Sequence, residues 1–203
     1  MIDAALLPML RRVYHRPAQA LLARGMTADQ ITLAGFGIGV LALPALAFGA
    51  YWLAAVLIVL NRVADGLDGA AARIAGPTDR GAFLDIALDF LFYALIPLGF
   101  ALADPSANAL AGAALIAAFV GTGSSFLAFA AIAARRGMTA PRYPSKGIYY
   151  LGGLTEGAET IAVFLLMCVV PGAFAALAWA FAAACLLTTA LRWRMGWVLL
   201  SEK

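Results

Sequence analysis

DGLDGAAARIAGPTDRGAFLDIALD, residues 65 to 89, is the stretch on which the reading of this chain turns. Asp65 and Asp68 stand three apart and Asp85 and Asp89 four apart, inside runs that otherwise have the composition of membrane-embedded helix. Helical spacings of three and four put each pair on one face. Between the pairs, Gly76-Pro77-Thr78-Asp79-Arg80-Gly81 carries the Gly and Pro of a tight connection, so the two helices are expected to return antiparallel and bring the four acids together.

Four like charges in a low-dielectric setting repel one another and are costly to desolvate unless a cation lies between them. A divalent metal is therefore expected. The ligands on offer are hard oxygens with no Cys or His beside them, which points to Mg, Mn or Ca rather than Zn or Cu. Gly69 and Gly81 leave room for close approach, and Arg73 adds a permanent cation within two turns of the acids. Together these suggest a phosphate-bearing substrate. The competing class is an ion or metabolite transporter built on the same intramembrane acids. Transporters commonly carry two related halves, and no repeat relates residues 31 to 103 to 108 to 195.

Outward from this stretch, the 203 residues are 64% hydrophobic and 12% charged, with a mean hydropathy of +0.92. That describes an all-α polytopic membrane protein. Six apolar spans are predicted, at 31 to 49, 51 to 74, 81 to 103, 108 to 134, 148 to 170 and 173 to 195, each near the ~20 residues that cross a bilayer. Residues 1 to 26, with Arg11, Arg12, Arg16 and Arg24 among Leu, Val and Tyr, read as an amphipathic interfacial helix. A signal peptide fits poorly, because Asp3 precedes the apolar run and Arg11 and Arg12 follow it. The whole chain, 1 to 203, is thus one membrane domain, 27 to 203 being the bundle.

The net charge of +3 is too small and too dispersed for nucleic-acid binding, but its distribution is informative. Arg16 and Arg24, then Arg73 and Arg80, then Arg135, Arg136, Arg142 and Lys146, then Arg192, Arg194 and Lys203 fall on alternate connections, and the other three connections have no Lys or Arg. Positive-inside logic places both termini and the basic loops in the cytoplasm, with Trp193 and Trp197 in that aromatic belt. At ~1.5 Å per residue the acids then lie roughly 10 to 15 Å below the cytoplasmic helix ends. Cys168 and Cys185 lie in apolar runs and imply no disulfide.

Asp65-x-x-Asp68-Gly69-x-x-Ala72-Arg73 followed by Gly81-x-x-x-Asp85-x-x-x-Asp89 resembles the signature of the CDP-alcohol phosphotransferases, integral membrane enzymes of phospholipid synthesis. Seven residues separate Arg73 from Gly81, where the family pattern usually has eight. The resemblance implies transfer of a substituted phosphate from a CDP-linked donor to an alcohol with release of CMP, by a homodimer using one or two Mg2+ or Mn2+ ions; CDP-diacylglycerol, donating a phosphatidyl group, best suits a small six-span chain of a bacterial inner membrane. It implies Asp65, Asp68, Asp85 and Asp89 as the metal set, Asp89 as general base, and Gly69, Arg73 and Gly81 at the diphosphate. Met26-Thr27-Ala28-Asp29-Gln30-Ile31-Thr32 resembles the family's T-P-N-x-x-T entry, which would bring Thr32 or Asp29 to the nucleotide. Thr27 or Asp29 serves equally well as an N-cap.

For the acceptor, Ile86 and Phe90 stand where phosphatidylglycerophosphate synthases usually have Pro and Lys, while Asp89-Phe90-x-x-Tyr93-x-x-x-Pro97 resembles bacterial phosphatidylcholine synthases. Tyr93 with Glu156 or Glu159 would suit a quaternary ammonium. Arg142 and Lys146 would suit a phosphorylated polyol instead, and serine stays open. Glu156 and Glu159 are otherwise read as intramembrane acids with Arg62 as ion-pair partner. Gly121, Gly123, Gly153 and the small residues around them permit close helix packing or a dimer face.

Overall fold

The computed structural model describes the backbone of residues 2–138 and 153–201, with side chains from residue 12 onward. The elements are α1 (Ile2–Ala23), α2 (Ala28–Val40), α3 (Ala42–Ala47), α4 (Tyr51–Ala75), α5 (Asp79–Ala103), α6 (Pro105–Arg135), α7 (Gly157–Val169), a 3-10 turn at Pro171–Ala173 and α8 (Phe174–Ser201). All regular structure among the described residues is helical.

Among the described residues, four stretches are long and apolar enough to cross a membrane: Ala28–Ala47, Asp79–Ala103, Pro105–Arg135 and Pro171–Ser201. The second expected span, α4, is as long as α5 and as charged, but its Arg62, Asp65 and Asp68 fall mid-helix, whereas α5 runs free of charge from Phe90 to Ala103. Of the fifth, expected at 148 to 170, the described residues show a 13-residue helix over Gly157–Val169, with 153 to 156 non-helical ahead of it. The first is broken at Leu41, because Pro44 has no N–H to return to the Val40 carbonyl. Outward-facing Phe48, Trp52, Leu110 and Val120 are exposed as suits contact with lipid. The chain is an integral membrane protein.

The core lies between α4, α5, α6, α7 and α8, around the fully buried Phe92, Phe100, Phe164 and Phe174. Phe100 stacks on Phe174 at 4.5 Å between ring centroids and on Tyr51 at 5.6 Å. α6 packs against α5 and α8, and α2 against α4. The glycines set those distances. A Cβ on Gly35 would come within 2.5 Å of Ala64 Cβ, so α2 and α4 meet nearly backbone to backbone. On α6, Gly123 receives the Phe90 ring and Gly121 receives Thr189, so both glycines are used for packing within the chain.

α1 lies against α4. Ala18 is fully buried, and Tyr14, Leu21 and Leu22 pack with Ile31, Leu67, Ala70 and Ala71. Tyr14 seats its ring over Gly66, beside Asp65. Arg12, His15, Arg16 and Arg24 face outward. The helix ends at Gly25, whose φ of 82° is open to glycine and whose N–H bonds back to Leu22.

Candidate active site

The connection between α4 and α5 is as tight as its sequence requires. Gly76 caps α4 with φ 99°, a conformation side chains resist, and Thr78 caps α5 by accepting from the Gly81 N–H at 3.0 Å. The helices therefore run antiparallel with their acid-bearing faces together. One carboxylate oxygen each from Asp65, Asp68 and Asp85 lies within 4.8 Å of the others. Asp68 is buried at 5% exposure, and Thr32 of α2, whose hydroxyl donates to the Ala28 carbonyl at 3.1 Å, lines the same cleft. An all-oxygen set this close, with one member out of water, fits a hard divalent cation.

Asp89 faces the same cleft but stands outside that triad. Its Oδ1 accepts from Arg62 Nη2 at 2.6 Å, and Arg62 Nη1 lies 3.6 Å from Asp65 Oδ2. Arg62 was expected to pair with Glu156 or Glu159. It pairs instead with the acids one turn up its own helix and across on α5. Glu156 and Glu159 form a capping box at the start of α7, the Glu156 N–H donating to Glu159 Oε2 at 3.2 Å, so they begin that helix rather than sit inside it.

The cleft is lined by Thr32, Asp65, Asp68, Asp85 and Asp89, with Gly35, Phe36, Asn61, Arg62 and Leu88. Sequence reading did not place Asn61 in it, although a lone amide in an apolar run was a usable signal. Gly69 leaves space for the Arg73 guanidinium, whose Nη1 would lie 3.3 Å from a Cβ there. A Cβ at Gly81 would lie 3.1 Å from Asp29 Oδ1. Asp29 is ion-paired with Arg80 at 2.6 Å, and Thr27 is the N-cap of α2 in a capping box with Gln30. The Tyr93 ring lies under Arg62, 5.6 Å from its guanidinium carbon, and against Phe119 and Phe164. Arg142 and Lys146 lie outside the described residues.

Carboxylates around a cation position, beside the half-buried Arg62 and two glycines, are suited to binding and transferring a phosphoryl group. A model of the family described as CDP-alcohol phosphatidyltransferase matches residues 25–193. The chain belongs to the CDP-alcohol phosphatidyltransferase family.

Among its relatives in that family, the inner membrane protein YnjF of Escherichia coli (strain K12) is 56% identical over 202 residues, 100% of this chain and 98% of that one. Archaetidylinositol phosphate synthase of Pyrococcus horikoshii is 34% identical over 96 residues, 47% of this chain and 51% of that one. Phosphatidylinositol phosphate synthase of Mycolicibacterium smegmatis is 43% identical over 76 residues, 36% of this chain and 34% of that one. Crystal structures of the Mycobacterium tuberculosis phosphatidylinositol phosphate synthase share the fold. The complex with manganese and citrate has a TM-score of 0.73 at 23% identity, covering 91% of this chain and 88% of that one. The one with CDP-DAG bound has a TM-score of 0.68 at 25% identity, covering 92% and 94%. Membership makes this CDP-alcohol phosphatidyltransferase a transferase of phospholipid synthesis.

Proposed function

We propose that this protein transfers the phosphatidyl group of CDP-diacylglycerol to the hydroxyl of a small polar alcohol, releasing CMP. The observation that carries this is the convergence of Asp65, Asp68 and Asp85 within 4.8 Å in the same cleft as Asp89. The donor is supported by the family and by the related synthase with CDP-DAG bound.

Asp65, Asp68 and Asp85 would hold Mg2+ or Mn2+, as one ion or two, with Asp89 at the edge of that set. A divalent ion bound there supplies positive charge to the diphosphate and to the CMP leaving group. Arg73, over Gly69, adds a hydrogen-bonding cation to the diphosphate. Thr32 and Asp29 border the nucleotide, and Gly81 keeps the entrance free of a side chain. Asp89 Oδ1 is engaged by Arg62, and its other oxygen takes the proton from the acceptor hydroxyl. The hydroxyl oxygen forms its bond to the phosphatidyl phosphorus as the bond from that phosphorus to the CMP oxygen breaks.

Both relatives of named activity are inositol phosphate lipid synthases, which favours an acceptor bearing phosphate over choline or serine. Arg142 and Lys146 are the loop cations such an acceptor would meet, and Glu156, Glu159 and Tyr93 are the residues an ammonium would need instead. The six-span bundle with α1 on the bilayer surface, the homodimer, and a bacterial inner membrane with both termini and the cleft on the cytoplasmic side complete the reading. The alternating Lys and Arg distribution and the inner-membrane relative support the sidedness and the location.

The test is product analysis. Protein in detergent with CDP-diacylglycerol and Mn2+ is offered inositol phosphates, glycerol 3-phosphate, choline and serine, and the lipid product is identified by mass. One acceptor should give a new phospholipid in step with CMP. Donor hydrolysis unchanged by every acceptor would contradict the reading.

A further inference from the structure

Arg62 stands out because it takes one acid away from the metal-fitted group. On α4, Arg62, Asp65 and Asp68 follow at spacings of three, and on α5, Asp85, Asp89 and Tyr93 at spacings of four. The two faces meet as successive levels. Asp68 and Asp85 meet at the outer one, with Asp65 reaching both, and Asp89 meets Arg62 one turn further in.

The guanidinium is held from three sides. Nε and Nη2 donate to Asn61 Oδ1 at 2.9 and 2.6 Å. Asn61, only 4% exposed, is itself fixed by donating Nδ2 to the Gly35 carbonyl at 3.0 Å. Beneath the guanidinium lie the rings of Phe92, 5.0 Å from its carbon, and Tyr93, at 5.6 Å. A Cβ at Gly39 would come 2.8 Å from Asn61 Nδ2 and 2.9 Å from the Phe92 ring, so the platform needs glycine there. Gly35, Asn61, Arg62 and Asp89 thus form one hydrogen-bonded chain from the α2 backbone to the cleft.

We propose that Arg62, braced by Asn61, is a positioning residue that holds Asp89 apart from the Asp65, Asp68 and Asp85 cluster and presents its free carboxylate oxygen to the acceptor. The catalytic part of this rests on the function proposed above, whereas the separation of Asp89 from the cluster rests on the geometry alone. Lys could replace the charge but not the simultaneous grip on Asn61 and Asp89.

The experiment measures CMP release and, separately, Mn2+ affinity by electron paramagnetic resonance. It compares wild type, Arg62→Met, Arg62→Lys, Asp89→Asn and the Arg62→Met/Asp89→Asn double variant. Arg62→Met should lower kcat about 100-fold with little change in the KM for donor, the size of effect expected from misplacing a reacting group. Arg62→Lys should recover part of it. In Arg62→Met the released Asp89 joins the cluster, so Mn2+ should bind about tenfold more tightly, a gain on the scale of ligand-positioning effects. That gain should vanish in the double variant. A Mn2+ affinity unchanged by Arg62→Met, or changed equally with and without Asp89, would overturn the proposal. Wild type that releases no CMP would sink the proposed function instead, and the Mn2+ comparison would still decide the role of Arg62. Arg62→Gln, which also removes the charge, supplies the same comparison if Arg62→Met does not fold.

Discussion

Arg80 and Asp29 clasp the first turn of α5 to the first turn of α2, Nη2 to Oδ2 at 2.6 Å, with Arg80 78% exposed and Asp29 15%. An ion pair with one partner in water contributes ~0–1 kcal/mol. Its two ends should therefore differ in effect. Arg80→Ala should change stability by less than about 1 kcal/mol and leave donor binding nearly unchanged. Asp29→Ala, which empties the place beside Gly81, should raise the KM for CDP-diacylglycerol severalfold. Donor titrations of the two variants check this, and equal KM values would remove Asp29 from the nucleotide site.

Asp68 is the buried member of the acid cluster. Without metal it is a charge among like charges, so Asp68→Asn should raise the melting temperature in EDTA. With metal the order should reverse. A ligand at 100 times its Kd adds about 2.7 kcal/mol of stability, and the variant should lose most of that gain. Thermal unfolding in detergent with EDTA or Mn2+ reads both effects. An undiminished Mn2+ shift in Asp68→Asn would contradict the ligand assignment.

Much of the site was legible because its information is local. Spacings of three and four within α4 and α5, and Gly76 between them, dictate which faces meet whatever the rest of the bundle does. Depth in the membrane points Arg62 toward Glu156 or Glu159, but rotation about the helix decides its partner. Three residues before Asp65, it shares the acid face and could not turn to a distant helix. Glu156 and Glu159 look mid-span in the sequence because residues 148 to 154 are apolar and glycine, a composition that does not mark a helix start. The break at Leu41 was written in Pro44, but a span-length window of hydropathy averages over it.

Gly35 is where α2 and α4 come closest. Gly35→Ala would place its Cβ against that of Ala64, both on rigid backbone, and should cost about 1–3 kcal/mol. It also displaces the carbonyl that anchors Asn61. Activity should fall along with stability. Denaturation of the variant in mild detergent measures the first, and a fully stable Gly35→Ala would mean that the helices separate freely.

Asp104 caps α6 at the far end of α5, accepting from Ser106 Oγ at 2.7 Å and the Ala107 N–H at 3.1 Å. The Ser106 hydroxyl first, then the Ala107 N–H, hold its carboxyl below the usual carboxylate range. A folded value below the unfolded one means stability that is present above the unfolded value and lost as pH falls through the folded one. Asp104→Asn keeps an acceptor without the titration. Its melting temperature should fall less steeply on acidification than that of wild type, and superimposable acid limbs would count against the cap.

The acids of α4 and α5 are proposed here as a phosphotransferase site. The most direct measurement is CMP release from CDP-diacylglycerol by purified protein with Mn2+ and an acceptor, beside Asp89→Asn. Metal-dependent CMP that rises with acceptor and falls by about 100-fold or more in Asp89→Asn is the predicted result. CMP release that is indifferent to metal, or equal in the two proteins, would contradict it.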